Sequence, residues 1–296
     1  GAAGGGDAAV GGADVSVANA DDVDLQIAEA AIVTAGDRAM GIVAQSIGGG
    51  GGLLSVGSGA ALGSYDIGGA FGAAGDVNIF TYTGVSIATA GDGAHGIVAQ
   101  SIGGGGGIIG DFGAGKPVLK TYDGTAAIDN QGGNGGAVSI SIEGAITTAG
   151  HHAYGVIAQA VGSGGGLAGD GAVSMAGSLG GGDGSGTTTG AIEILQYAGS
   201  VISTSGEDST GIFAHSVATA NSDTISITVD GTVTGGTGNG VGIYMAGGSF
   251  GVSALPDNTI DIGLNGEVSA GSGTAIEYQS IYGGAQGVTV TNCSDI

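Results

Sequence analysis

The chain has 296 residues, 72 of them glycine, 2 proline and none tryptophan, and its 26 acidic residues face only Arg38, Lys116 and Lys120, for a formal charge of −23. Three cations can neutralise neither a phosphate backbone nor an anionic lipid surface, which excludes nucleic acid as a partner and disfavours membrane binding. Glycine costs about 1 kcal/mol per helical position relative to alanine, so long helices are excluded too and an acidic, repetitive all-β protein is left.

Taken in chain order, three short elements recur. A Gly-rich opening (Gly1 to Gly12) leads to an alternating strand, Val23/Leu25/Ile27, then a Thr-Ala-Gly turn at Thr34, then GIVAQSI at 41–47 and a glycine run, Gly48–Gly52. After some 25 small, turn-rich residues the set returns as Val77/Ile79, Thr89, GIVAQSI at 96–102 and Gly103–Gly107. The third copy is Val138/Ile140/Ile142, Thr148, GVIAQAV at 155–161, and Gly162 with Gly164–Gly166. The fourth, Ile192/Ile194, Thr204 and GIFAHSV at 211–217, has no glycine run. Weaker copies follow, with Ile225/Ile227/Val229 before GIYMAGG (242–248) and Ile260/Ile262/Leu264 before AIEYQSI (275–281), and Val288/Val290 closes the series. Steps between these anchors are 55, 59, 56, 31 and 33 residues, the shorter ones where the inserts are missing.

Alternation at period two marks strands. A unit of three short strands cannot bury its apolar face alone, but stacked units can, with like residues about 4.8 Å apart. The expected fold is therefore a parallel β-solenoid, right-handed by the preference of parallel crossovers and three-faced. A β-sandwich would want hairpin turns and would leave the near-identical anchors unexplained. Residues 1–217 are read as rungs with long Gly-rich inserts, and 218–296 as rungs with short connections, continuous with the first part.

The anchor strands are apolar on both sides. Ile42, Ala44 and Ser46 suit a tight interior, while Val43, Gln45 and Ile47 face the other way, as do Val98, Gln100 and Ile102, and Ile157, Gln159 and Val161. A strand apolar on both sides is covered on both sides. Either the glycine run reverses the chain so that the insert lies over this face, or another molecule covers it. These nine residues are the candidate interface. Flexible loops are the plainer reading of the glycine runs, and no Gly-Lys-Ser/Thr follows them to make a phosphate loop.

Chemistry finds little support. Asp37, Asp92, His151 and Glu207 share one turn position, and Met40, His95, Tyr154 and Thr210 another, read as a surface stack. His215 replaces the glutamine of Gln45, Gln100 and Gln159, which suggests a polar ladder. No three or four ligands are spaced for zinc. Gly182–Gly186 resembles a serine-protease nucleophile loop with its serine, Ser185, displaced, and Val173–Ala176 resembles a subtilase motif around Ser174, but neither has a base. No enzyme is expected. Asp21, Asp22, Asp24, Asp37, Asp76 and Asp92 lie at turns where calcium could bind, although Gly132–Gly136 misses the calcium-repeat aspartate at Ala137. The plainer reading is a solvated acidic surface.

Cys293 is the only cysteine, so no intramolecular disulfide forms, and no apolar run approaches the roughly 18–20 residues of a membrane helix. Without an initiator Met or leader-like segment, residue 1 reads as the start of a mature or fragmentary extracellular chain. The segment TAGDGAHGIVAQSIGGGGG (89–107) and its counterpart at 34–52 resemble the passenger repeats of bacterial autotransporters, a likeness covering most of 12–217. That resemblance implies a β-helix exposed at the bacterial outer-membrane surface. The expected function is a non-enzymatic structural or adhesive rod with a cell-surface or matrix partner. The alternative is a self-associating filament subunit, stacking through open solenoid ends or the apolar anchor face.

Overall fold

A computed structural model describes residues 8–10, 19–55, 64–67, 72–110, 118–119, 132–162, 164–169, 186–249, 257–280 and 287–293. The alternating segments become strands, and no helix occurs among the described residues, hence none long and apolar enough to cross a membrane. Ahead of the first full turn lies β1 (Ala8–Val10). The first turn runs β2 (Val23–Ile27), β3 (Ala31–Thr34) and β4 (Ile42–Ile47), with β5 (Gly51–Ser55) and β6 (Ser64–Ile67) in its insert. The second repeats this as β7 (Val77–Thr81), β8 (Ser86–Thr89), β9 (Ile97–Ile102), β10 (Gly106–Gly110) and β11 (Val118–Leu119). The third is β12 (Val138–Ile142), β13 (Ala145–Thr148), β14 (Val156–Val161) and β15 (Gly165–Gly169). Three shorter turns follow: β16 (Ile192–Gln196), β17 (Val201–Thr204) and β18 (Thr210–Ala218); β19 (Ile225–Val229), β20 (Thr232–Gly235) and β21 (Val241–Ser249); β22 (Asn258–Ile262), β23 (Glu267–Ala270) and β24 (Thr274–Ser280). A further strand, β25 (Val288–Asn292), stacks beyond β22.

These strands stack into three parallel faces: β2-β7-β12-β16-β19-β22-β25, β3-β8-β13-β17-β20-β23 and β4-β9-β14-β18-β21-β24. The chain is thus an all-β parallel solenoid with three main faces. Register is held without slip, so Ile42, Ile97, Val156, Ile212, Ile243 and Ile276 lie one above another. On the first and second faces, where outward positions are exposed or half-buried, one residue of slip would turn the inward column toward solvent, so the buried pattern fixes the register there. Inward residues of all three faces, among them Ile79, Ile140, Ile146, Ile202 and Ile227, form one continuous core. Each fully buried isoleucine contributes roughly 1.5–3 kcal/mol relative to exposure.

Polar residues of the repeat stitch the corners. The Thr34 hydroxyl donates to the Ala39 carbonyl and that of Thr89 to Ala94; Thr148 donates to Ala153 at 2.5 Å. That contact closes the bend between second and third faces and explains the threonine seven residues before the first three anchors, whereas Thr204 donates to the Thr234 carbonyl of the next rung at 3.2 Å. The serine of the anchor closes the next corner. Ser46 Oγ donates to the Asp21 carbonyl at 2.8 Å and accepts from the Gly75 amide at 2.9 Å, and Ser101 repeats this with Gly75 and Gly136. Buried backbone groups at each corner are thereby paired, as burial requires.

Candidate functional site

The third face carries the nine candidate residues, and its outer side is covered by the protein's own chain. After β4, β9 and β14 the glycine run turns the backbone, and β5, β10 and β15 pair with one another as a separate parallel sheet. Ile108 of β10 and Leu167 of β15 are buried against Val98, Ile157, Tyr154 and Phe213 in a second apolar cluster. Ile102, Val161 and Val217 form a third, with Ile47 at its margin.

The glycine runs are required by this reversal. Gly106 and Gly107 have φ of 149° and 133°, a region essentially confined to glycine. A Cβ on Gly106 would overlap the Gly165 carbonyl oxygen, and one on Gly107 that of Gly52. The sheet is thus built from glycine pairs in register, which a flexible loop would not need.

This burial makes six of the nine candidate residues interior to the chain. Val98, Gln100, Ile102, Ile157, Gln159 and Val161 are fully or almost fully buried within the chain, so no second molecule can reach them while the cover is in place. Of the nine, Val43 is 39 % exposed, and Gln45 and Ile47 are half-buried, all three in the first turn. Apolarity on both sides correctly signalled a cover; covalent continuity decided that the cover is intramolecular.

The glutamines form a directed ladder. Gln45 Nε2 donates to Gln100 Oε1 at 2.6 Å, and Gln100 Nε2 to Gln159 Oε1 at 2.5 Å. Gln159 Nε2 stands 3.3 Å from His215 Nδ1. With the ladder running in this direction, the Gln159 N–H finds its acceptor in the neutral His215 tautomer that carries its proton on Nε2, and that nitrogen is buried without a partner. Burial lowers the His215 pKa from 6.5 to about 4. In the following rung Ala246 takes this position and ends the ladder.

The second histidine position is also interior. His95, Tyr154 and Thr210 are buried, correcting their reading as a surface stack, because Tyr154 packs between His95 and Phe213 with ring centroids 5.4 and 6.3 Å away. His95 Nδ1 accepts from the Tyr154 amide at 3.1 Å, and burial, then the charge of His152, lowers its pKa to about 4. His151 Nδ1 and Glu207 Oε2 stand 3.6 Å apart, both exposed, a contact worth little in water.

The turn aspartates act as clips between rungs. Asp22 Oδ1 accepts from the Asp76 amide at 2.8 Å, and Asp76 Oδ1 from the Ala137 amide at 2.7 Å. Asp37 and Asp92 do the same for the Asp92 and His151 amides at 3.1 and 2.9 Å. Among the described residues no three or more His, Cys, Asp or Glu side chains converge as a metal group would need. Ser174 and Ser185 lie outside the described residues. Cys293 is free and exposed.

Sequence reasoning missed an aromatic group on the outer side of the first face, formed by Phe80, Tyr82 and Tyr197. Its signal was present: Phe80 takes an outward position of β7, while Tyr82 and Tyr197 follow β7 and β16 at the same place. Comparison with known protein families, with curated proteins and with solved structures returns no match.

Proposed function

We propose that this chain is a non-enzymatic structural or adhesive β-helix, displayed outside a bacterial cell as autotransporter passengers are. The observation that carries the reading is where the polar residues of the repeat go. Corner threonines and serines, buried glutamines and turn aspartates bond from rung to rung or close a corner. Each rung is thus tied to its neighbours by side chains as well as by the backbone ladder. About six stacked rungs give a rod some 30 Å long whose stiffness comes from repetition. Two of the four histidines are buried as neutral acceptors, which leaves them no part in proton transfer at the surface. The acidic exterior keeps such a rod soluble and unattracted to phosphate or anionic lipid. Electron microscopy with light scattering, with and without calcium, tests the reading. Monodisperse short rods in both conditions are expected, and calcium-triggered assembly would overturn it.

The second reading is a filament subunit. Lateral pairing through the anchor face conflicts with its burial, so stacking would use the rung edges, where Val23, Leu25 and Ile27 of the first rung and Val268 and Ile276 of the sixth are only partly buried. Long filaments with a repeat near 4.8 Å along the axis in the same micrographs would establish it.

A further inference from the structure

We propose that the outer side of the first face binds a cationic amino-sugar polysaccharide, seated on Phe80, Tyr82 and Tyr197 and held by carboxylates beside them. The rings touch: Phe80 lies 4.5 Å from Tyr82 and 6.3 Å from Tyr197, centroid to centroid. Tyr82 is 39 % exposed, Phe80 and Tyr197 are half-buried, and none belongs to the three apolar clusters. Phe80 and Tyr197 belong to the second and fourth turns, with Ser141 of the third paired beside Phe80. The small serine lets the two rings lean together into a platform about 10 Å long in the stacking direction. Only 13 aromatic side chains occur in the chain, so three together on an outward surface need a reason beyond packing.

The chemistry around the platform selects the ligand. Tyr82 donates its hydroxyl to Gln26 Oε1 at 3.3 Å, so the patch has polar edges as well as ring faces. Such amphipathic rings suit a pyranose, whose C–H face stacks while its rim hydrogen-bonds. Glu143 occupies the turn between those of Tyr82 and Tyr197; its Oε2 accepts from the Thr83 amide at 3.0 Å and the Thr83 hydroxyl at 2.8 Å. Asp24 and Glu193 hold outward positions on the same face, two residues before Gln26 and Leu195, and among the described residues no lysine or arginine holds an outward position of its strands. An ammonium group on a sugar stacked across the rings would meet Glu143, which stands between the two tyrosines, together with the ring faces. Uronic-acid polymers and nucleic acids would meet like charge on a protein of −23. Three rings are also too small a patch for a stable protein partner.

This proposal deepens the adhesive reading by naming a partner class, yet the two fail separately, because microscopy reads the rod and sugar titration reads the platform. The full chain is titrated with a glucosamine hexamer, an N-acetylglucosamine hexamer and a mannuronate oligomer, in about 0.15 M salt to screen unspecific attraction. Tyrosine emission reports binding without interference, since tryptophan is absent. Saturable binding of the glucosamine hexamer alone is expected, weakened about tenfold or more by Tyr82→Ala or Tyr197→Ala, severalfold by Glu143→Gln and little by Tyr82→Phe. Circular dichroism of each variant checks that the rod is intact, with Tyr82→Phe as the conservative control. Equal binding by wild type and the alanine variants would overturn the proposal as mere adsorption. So would preference for the acetylated or the acidic oligomer, or no saturation with any of the three.

Discussion

Lowering the pH loads the buried end of the glutamine ladder. His215 Nδ1 accepts from Gln159 and its Nε2 has no partner, so a second proton would bring a donor against a donor. Gln45, Gln100 and Gln159 all point their amides in one direction, and relief requires the three to turn over together. The folded pKa of His215 is lowered to about 4 from 6.5. Between those values the unfolded chain binds the proton and the folded one does not, so stability falls as pH falls. From pH near 7.5 to pH 5 the loss is about 2 kcal/mol for His215, and about the same again for His95. Glutamine at position 215 continues the ladder with an amide oxygen that never titrates. Urea unfolding of wild type and His215→Gln at several pH values measures the difference, followed by both circular dichroism and tyrosine emission because stacked rungs need not unfold as one unit. The variant should lose only half as much stability across the window. A slope equal to that of wild type would refute the assignment, as would a His215 pKa near 6.5 in the folded protein by NMR.

Other expectations follow from single contacts. Gly106→Ala should destabilise the β5-β10-β15 sheet by more than about 3 kcal/mol, because backbone surrounds the missing Cβ; an unchanged urea midpoint would show the reversal to be soft. Thr148→Val keeps the volume but leaves the Ala153 carbonyl unpaired, at a cost of about 1–3 kcal/mol, while Thr148→Ser should keep most of the stability in the same unfolding assay. Gln100→Leu breaks two links of the ladder and strands a buried acceptor on Gln159 and a half-buried donor on Gln45, and a loss of about 2–4 kcal/mol in unfolding free energy is expected from denaturant titration. Asp76→Ala removes the clip on the Ala137 amide and should cost only about 1 kcal/mol at this exposed turn, with Asp76→Asn nearly neutral by thermal melting.

Much of the fold was written in local patterns. Val23/Leu25/Ile27 and its successors required strands, and the repeated anchor required that they stack like over like. Composition set the acidic exterior. What those patterns left open was the partner of each face. Val98 and Ile157 read as apolar outward positions, but only the chain path could tell whether an insert or another molecule covers them. His95 and Tyr154 read as variable turn residues, yet Tyr154 packs between His95 and Phe213 and both are interior. Tyr197 lies more than a hundred residues from Phe80 and Tyr82 and becomes their neighbour only through the stacking of rungs. Periodicity acts over a few residues, through the pleat of a strand, and so it is carried by the sequence alone. The cover, the ladder and the platform depend on which rung lies above which, and the burial of the shared core settles that when the whole chain has folded.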